Sequence, residues 1–130
     1  MAYSIIEFSG KNKRFHELDL SIACVLIIEK YRNIANGKYD AMFDKWLESI
    51  TFSGSGCIDL HLDEYLQDRK LRLVIRELAK SVLQDLDEIG DLYPKITLNK
   101  LLAKAKINLE NDYRVSLIRS VIEGLNELIE

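Results

Sequence analysis

The residues Asp19-Leu20-Ser21-Ile22-Ala23-Cys24-Val25-Leu26-Ile27-Ile28 decide how this chain folds. They are apolar on nearly every side, so a helix here must be covered by other elements. Their β-branched members also suit a buried strand, and periodicity alone does not separate the two. Polar residues follow through Asn33, and Asn36-Gly37 supplies a left-handed stop. A central helix is the reading that the flanking segments support.

Downstream, Met42, Phe43, Trp46, Leu47 and Ile50 recur at helical spacing, with Asp40, Asp44, Lys45 and Glu48 on the opposite side. Ser53-Gly54-Ser55-Gly56 breaks that helix. The longest helix is expected over residues 68–89. Its inward ridge is Leu71, Ile75, Leu78, Val82, Leu86 and Ile89, and Gly90 ends it. Pro94 marks a loop, and Thr97 suits the N-cap of a shorter helix with Leu98, Leu101, Leu102 and Ala105 inward. Asn111 or Asp112 can cap a last helix whose apolar face is Leu117, Ile118, Val121, Ile122, Leu125, Leu128 and Ile129. Upstream, Tyr3–Phe8 fits either a short strand or an opening helical turn, and Ser9-Gly10-Lys11-Asn12 reads as a turn. The expected architecture is therefore all-α: an irregular bundle of about five helices in a single domain over residues 1–130, with a short N-terminal strand or hairpin as a variant.

Composition limits the function classes. An apolar content of 48% beside 30% charged residues is ordinary globular composition, far from the disordered or fibrous extremes. A net charge of −3 disfavours non-specific nucleic-acid binding, which needs a basic surface to displace counterions. Cys24 sits in the apolar run and Cys57 in the glycine-serine stretch, with nothing local to pair them. Two free thiols and a reducing compartment are expected, hence the cytoplasm. No secretory signal is expected at the N-terminus, and the longest apolar stretch, residues 22–28, is far shorter than the roughly 20 residues a bilayer span requires.

Cys57, Asp59, His61 and Asp63 alternate with Ile58, Leu60 and Leu62. Extended, they would present thiolate, imidazole and carboxylate on one face, all of them metal ligands. The spacing matches no zinc or helical di-metal signature, so no metal or cofactor is expected. A surface edge, or a helix entry capped by Asp59, accounts for the same residues. A cysteine nucleophile at Cys57 with His61 or His16 as base meets only the composition requirement, which leaves a small Cys/His enzyme as a lesser alternative.

Acidic residues are better placed for recognition. Asp40, Asp44 and Glu48 step by four along one helix face. In the long helix Arg69, Lys70, Arg72 and Arg76 occupy the early turns and Asp85, Asp87 and Glu88 the last, with Asp91 just beyond. The helix dipole prefers the reverse by about 0.3–1 kcal/mol per charge. Such an inversion marks either a partner surface or ion pairs to the lysines at 95, 100, 104 or 106. A helix over residues 101–107 followed by one holding Arg114, Ser116, Arg119 and Ser120 could imitate helix-turn-helix, the basis of a regulator or adaptor alternative. No glycine marks that turn, and the final helix ends in Glu123, Glu127 and Glu130.

The segment over residues 59–64, the acidic helix end over residues 85–91 and the stripe Asp40, Asp44 and Glu48 together resemble, in architecture, the small helical immunity proteins of bacterial toxin systems, including those of contact-dependent growth inhibition. The resemblance implies a non-catalytic domain that neutralises a toxin, often a nuclease, by occluding its basic cleft with carboxylates. The expected partner is a basic protein, with no membrane involved and a monomer favoured. The candidate contact residues are Asp59, Asp63, Glu64, Asp85, Glu88, Asp91, Asp40, Asp44 and Glu48.

Overall fold

The computed structural model describes residues 2–34, 37–52 and 58–130. Ser53, Gly54, Ser55, Gly56 and Cys57 lie outside the described residues, as does Asn36. The chain is mostly helical but not purely so. Strands β1 (Tyr3–Phe8) and β2 (Lys11–His16) form an antiparallel hairpin ahead of α1 (Glu17–Ile34) and α2 (Asp40–Phe52). A single turn, α3 (Leu62–Tyr65), leads into α4 (Arg69–Ile89). Then come β3 (Leu92–Tyr93), α5 (Lys95–Leu102) with a 3-10 turn at Ala103–Ala105, β4 (Tyr113–Arg114) and α6 (Val115–Ile129).

The apolar run is a helix, and its surroundings explain why. Every residue from Leu20 to Ile28 is buried, because α2, α4, α5 and α6 all pack on α1. A helix apolar all round is stable only when covered in this way. In α2, Met42, Phe43 and Trp46 point inward as the stripe predicts. In α4 the ridge Leu71, Ile75, Leu78, Val82 and Leu86 is buried, with Ala79 beside it. The Asp68 carboxylate caps α4 by accepting from the N–H groups of Lys70 and Leu71, and Gly90 ends it at φ 97.

Three expectations are corrected. First, Tyr3–Phe8 is a strand: Ser4, Ile6 and Phe8 face the core and Tyr3, Ile5 and Glu7 face outward. Ser9 and Gly10 alone make the turn, both at positive φ (53 and 77), as a two-residue turn matched to the strand twist requires. Lys11 and Asn12 therefore belong to β2 rather than to the turn. Second, α5 starts at Lys95 rather than beyond Thr97. The N–H of Lys95 donates to Asp112 Oδ1 at 2.9 Å, so a residue distant in sequence supplies the cap. Asp112 thus caps α5, not α6, whose first N–H, that of Val115, donates to the Asp91 carbonyl at 2.9 Å. The short β3–β4 ladder brings these segments together. Third, the helix-turn-helix geometry is absent. The 3-10 turn ends at Lys106, at φ 58, and irregular chain and β4 separate it from α6. Asn99 holds that chain in place, donating to the Leu109 carbonyl and accepting the Leu109 N–H. A helix-turn-helix has only a three- or four-residue turn.

Three of the inverted charges of α4 find partners elsewhere in the fold. Arg72 donates from Nε to the Leu66 carbonyl at 2.7 Å and lies over the Phe8 ring. Asp85 pairs with Lys30 on α1 at 2.6 Å, and Asp87 pairs with Arg119 on α6. Asp85 and Asp87 are thus ion-paired within the fold, but with Lys30 and Arg119 rather than with the expected lysines at 95, 100, 104 or 106. Of the expected lysines, Lys104 pairs with Glu29, and Lys95 donates to the Glu110 carbonyl.

Candidate functional site

Residues 58–64 form a strap that runs beside β1, and its shape follows from alternation. Ile58, Leu60 and Leu62 are buried, so Asp59 and Asp63 are left at the surface with His61 half-buried between them. Side chains of other elements pin the strap. Trp46 Nε1 donates to the Leu60 carbonyl at 2.7 Å, Ser4 Oγ accepts the Ile58 N–H at 3.2 Å, and Ser49 Oγ accepts the Asp59 N–H at 2.9 Å. Asp59 Oδ1 accepts the His61 N–H at 2.8 Å, which holds His61 in the left-handed conformation at φ 52 as α3 begins. Asp63 Oδ1 reaches back to accept the Ser9 N–H at 2.8 Å, joining the strap to the hairpin tip.

Between strap and strand lies an open cleft of about 460 Å³ lined by Ile5, Glu7, Ile58, Asp59, His61, Leu62, Asp63 and Glu64. Among the described residues its lining holds four carboxylates and no lysine or arginine. Ile5 is 60% exposed in its wall, an apolar group set among acids. Cations stand at the rim: Lys45 Nζ lies 3.4 Å from Glu64 and over the Tyr65 ring, and Arg14, paired directly across from Ile5, lies over the Tyr3 ring. His61 Nδ1 is 3.5 Å from Glu64 and 3.8 Å from Asp59. Among the described residues no group of three or more His, Cys, Asp or Glu side chains is arranged to hold a metal ion.

Of the expected contact residues, the structure brings Asp59, Asp63 and Glu64 into one cleft. Glu48 lines a neighbouring depression that shares His61. Asp40 and Asp44 are engaged elsewhere: Asp40 accepts the Tyr31 hydroxyl at 2.9 Å, and Asp44 is 3.6 Å from Arg32. Asp85 is paired as described, Glu88 is exposed, and Asp91 shares a depression with Asp87, Arg114 and Arg119, where charge of both signs mixes. Glu7 was missed by sequence reasoning. Its signal was the alternation in Tyr-Ser-Ile-Ile-Glu-Phe, usable only once the segment is known to be a strand.

Of the candidate catalytic residues, Cys57 lies outside the described residues. Cys24 is fully buried in α1, and burial pushes its thiol well above the ordinary range, away from the thiolate that reacts. His16 stacks edge-on against Tyr3 with Nδ1 3.9 Å from Asp19, and neither ring nitrogen makes a hydrogen bond among the described residues. Asp19 in turn accepts the Tyr113 hydroxyl, which ties α1 to β4.

No protein-family model, no curated protein and no solved structure matches the chain. No helix among the described residues is long and apolar enough to cross a membrane.

Proposed function

We propose that this protein is a non-catalytic binding domain that neutralises a basic protein partner, in the manner of the toxin-immunity proteins it resembles. The observation that carries the reading is the cleft wall, where Glu7, Asp59, Asp63 and Glu64 surround an exposed Ile5 with no lysine or arginine among them. Gathered carboxylates raise the on-rate for a cationic partner through long-range attraction. A central apolar group supplies the contact that holds the complex once water is expelled. A toxin whose cleft is basic, because it grips a phosphate backbone, has the complementary charge, and occupying that cleft excludes its substrate.

The test is genetic and physical together. The protein encoded immediately upstream of this chain's reading frame is expressed alone and with it. Growth arrest alone, relief on co-expression, and loss of relief when Asp59 and Glu64 are both changed to lysine are expected. An upstream product that neither arrests growth nor binds this chain defeats the reading, as does full protection by the doubly reversed variant.

A further inference from the structure

We infer, building on the basic-partner reading above, that the partner docks by adding an extended lysine- or arginine-bearing strand to the free edge of β1. The hairpin itself dictates which backbone groups are free. A two-residue turn makes Phe8 and Lys11 its first hydrogen-bonded pair, and such pairs alternate along an antiparallel ladder. Ile6 with Lys13 and Ser4 with Phe15 are therefore the next bonded pairs. The series continues beyond the strand, where the Glu17 N–H donates to the Ala2 carbonyl at 3.0 Å. The N–H and C=O groups of Tyr3, Ile5 and Glu7 consequently point away from β2. Among the described residues, no backbone hydrogen bond outside the hairpin reaches any of these three.

That edge borders the acidic cleft, since Ile5 and Glu7 line it, and the strap at Ile58 is bonded to the core-facing hydroxyl of Ser4. The two edges of the hairpin are also chemically unlike. β2 carries Lys11, Lys13 and Arg14, the charges by which sheet edges commonly resist pairing. β1 carries no lysine, arginine or proline. A strand laid along it would receive main-chain hydrogen bonds from Ile5 and Glu7, which is how strand addition generates affinity. The side chains on its outward face would meet Ile5 and Glu7, with the carboxylates of Asp59, Asp63 and Glu64 along the same cleft. An acidic strand is repelled there, and a basic one is selected.

Two synthetic peptides of equal charge test the inference on the unaltered protein: Lys-Val-Lys-Val-Lys-Val-Lys and Lys-Pro-Pro-Lys-Pro-Pro-Lys-Pro-Pro-Lys. In the second, no two successive residues on the same side of the backbone both carry an N–H, so no register lets it extend a ladder along β1. In a nuclear magnetic resonance titration at low salt, the valine peptide should bind about tenfold more tightly, or better. It should also slow hydrogen exchange at the Ile5 and Glu7 amides. Asp59→Asn with Glu64→Gln should weaken both peptides while preserving their ratio. Equal binding of the two peptides overturns strand addition and leaves the basic-partner reading standing. Binding of neither overturns both. Concentration-dependent self-association of the protein alone, with protection at Ile5, would identify the basic β2 of a second copy as the occupant and overturn the separate partner.

Discussion

The indole N–H of Trp46 donates to the backbone carbonyl of Leu60 across 2.7 Å, in a site from which water is excluded. One buried ring in α2 thereby fixes the middle of the strap that carries Asp59, His61, Asp63 and Glu64. Tyr31 and Phe43 complete the aromatic stack behind it. Trp46→Phe should cost about 1–3 kcal/mol, chiefly because the Leu60 carbonyl is left buried and unpaired. Trp46→Ala should cost about 3–5 kcal/mol. Denaturant unfolding of both variants measures this, and a wild-type midpoint for the alanine variant would place the ring outside the core.

The two acidic surfaces should separate under charge reversal. Asp59→Lys with Glu64→Lys should weaken partner binding by several kcal/mol, in a salt-dependent way, and should cost only about 1 kcal/mol of stability through the lost bond from the His61 N–H to Asp59. Asp85→Lys with Glu88→Lys removes the half-exposed pair with Lys30 and should cost only stability, about 1 kcal/mol. Titration calorimetry against the upstream product, alongside thermal unfolding, tests both. Loss of binding only in the second pair would move the interface to the end of α4.

Gly124 lies under the hairpin: a Cβ there would stand 2.8 Å from Phe15 Cε1. In an exposed helix Gly→Ala gains up to about 1 kcal/mol, whereas forcing a packed ring aside costs about 1–3 kcal/mol. Gly124→Ala should therefore be net destabilising, by up to about 2 kcal/mol. A raised melting temperature would mean that Phe15 yields without loss.

Stability should decline at alkaline pH. Burial pushes the phenols of Tyr113, Tyr93 and Tyr31 above their ordinary value, and acceptance by Asp19 and Asp40 adds to this at Tyr113 and Tyr31. The folded chain thus keeps protons that the unfolded chain releases near pH 10. Their contribution is fully present below about pH 10 and is lost as pH rises through the folded values. Thermal unfolding across this range should show a falling midpoint, with a shallower fall in Tyr113→Phe. A midpoint unchanged well above pH 10 contradicts this.

The sequence by itself determined the helices whose apolar spacing repeats over several turns. α4 was legible from about residue 68 to its Gly90 stop, though not its cap by Asp68, and the inward face of α2 and the burial of α1 were legible as well. These features depend on neighbours within about four residues, which is the range that local periodicity reports. The alternation of residues 58–64 was equally plain, and with it the exposure of Asp59 and Asp63. Only tertiary structure decided the rest. Tyr3–Phe8 became a strand because β2 supplies its hydrogen bonds. The start of α5 was set by Asp112, arriving across the β3–β4 ladder. The inverted charges of α4 are met by Lys30 and Arg119, from helices before and after it in the chain. The cleft itself joins Glu7 to Asp59, Asp63 and Glu64 from segments more than fifty residues apart, as the Ser9–Asp63 hydrogen bond also does. Such pairings form when burial of the whole core brings distant segments together, and no local pattern encodes them.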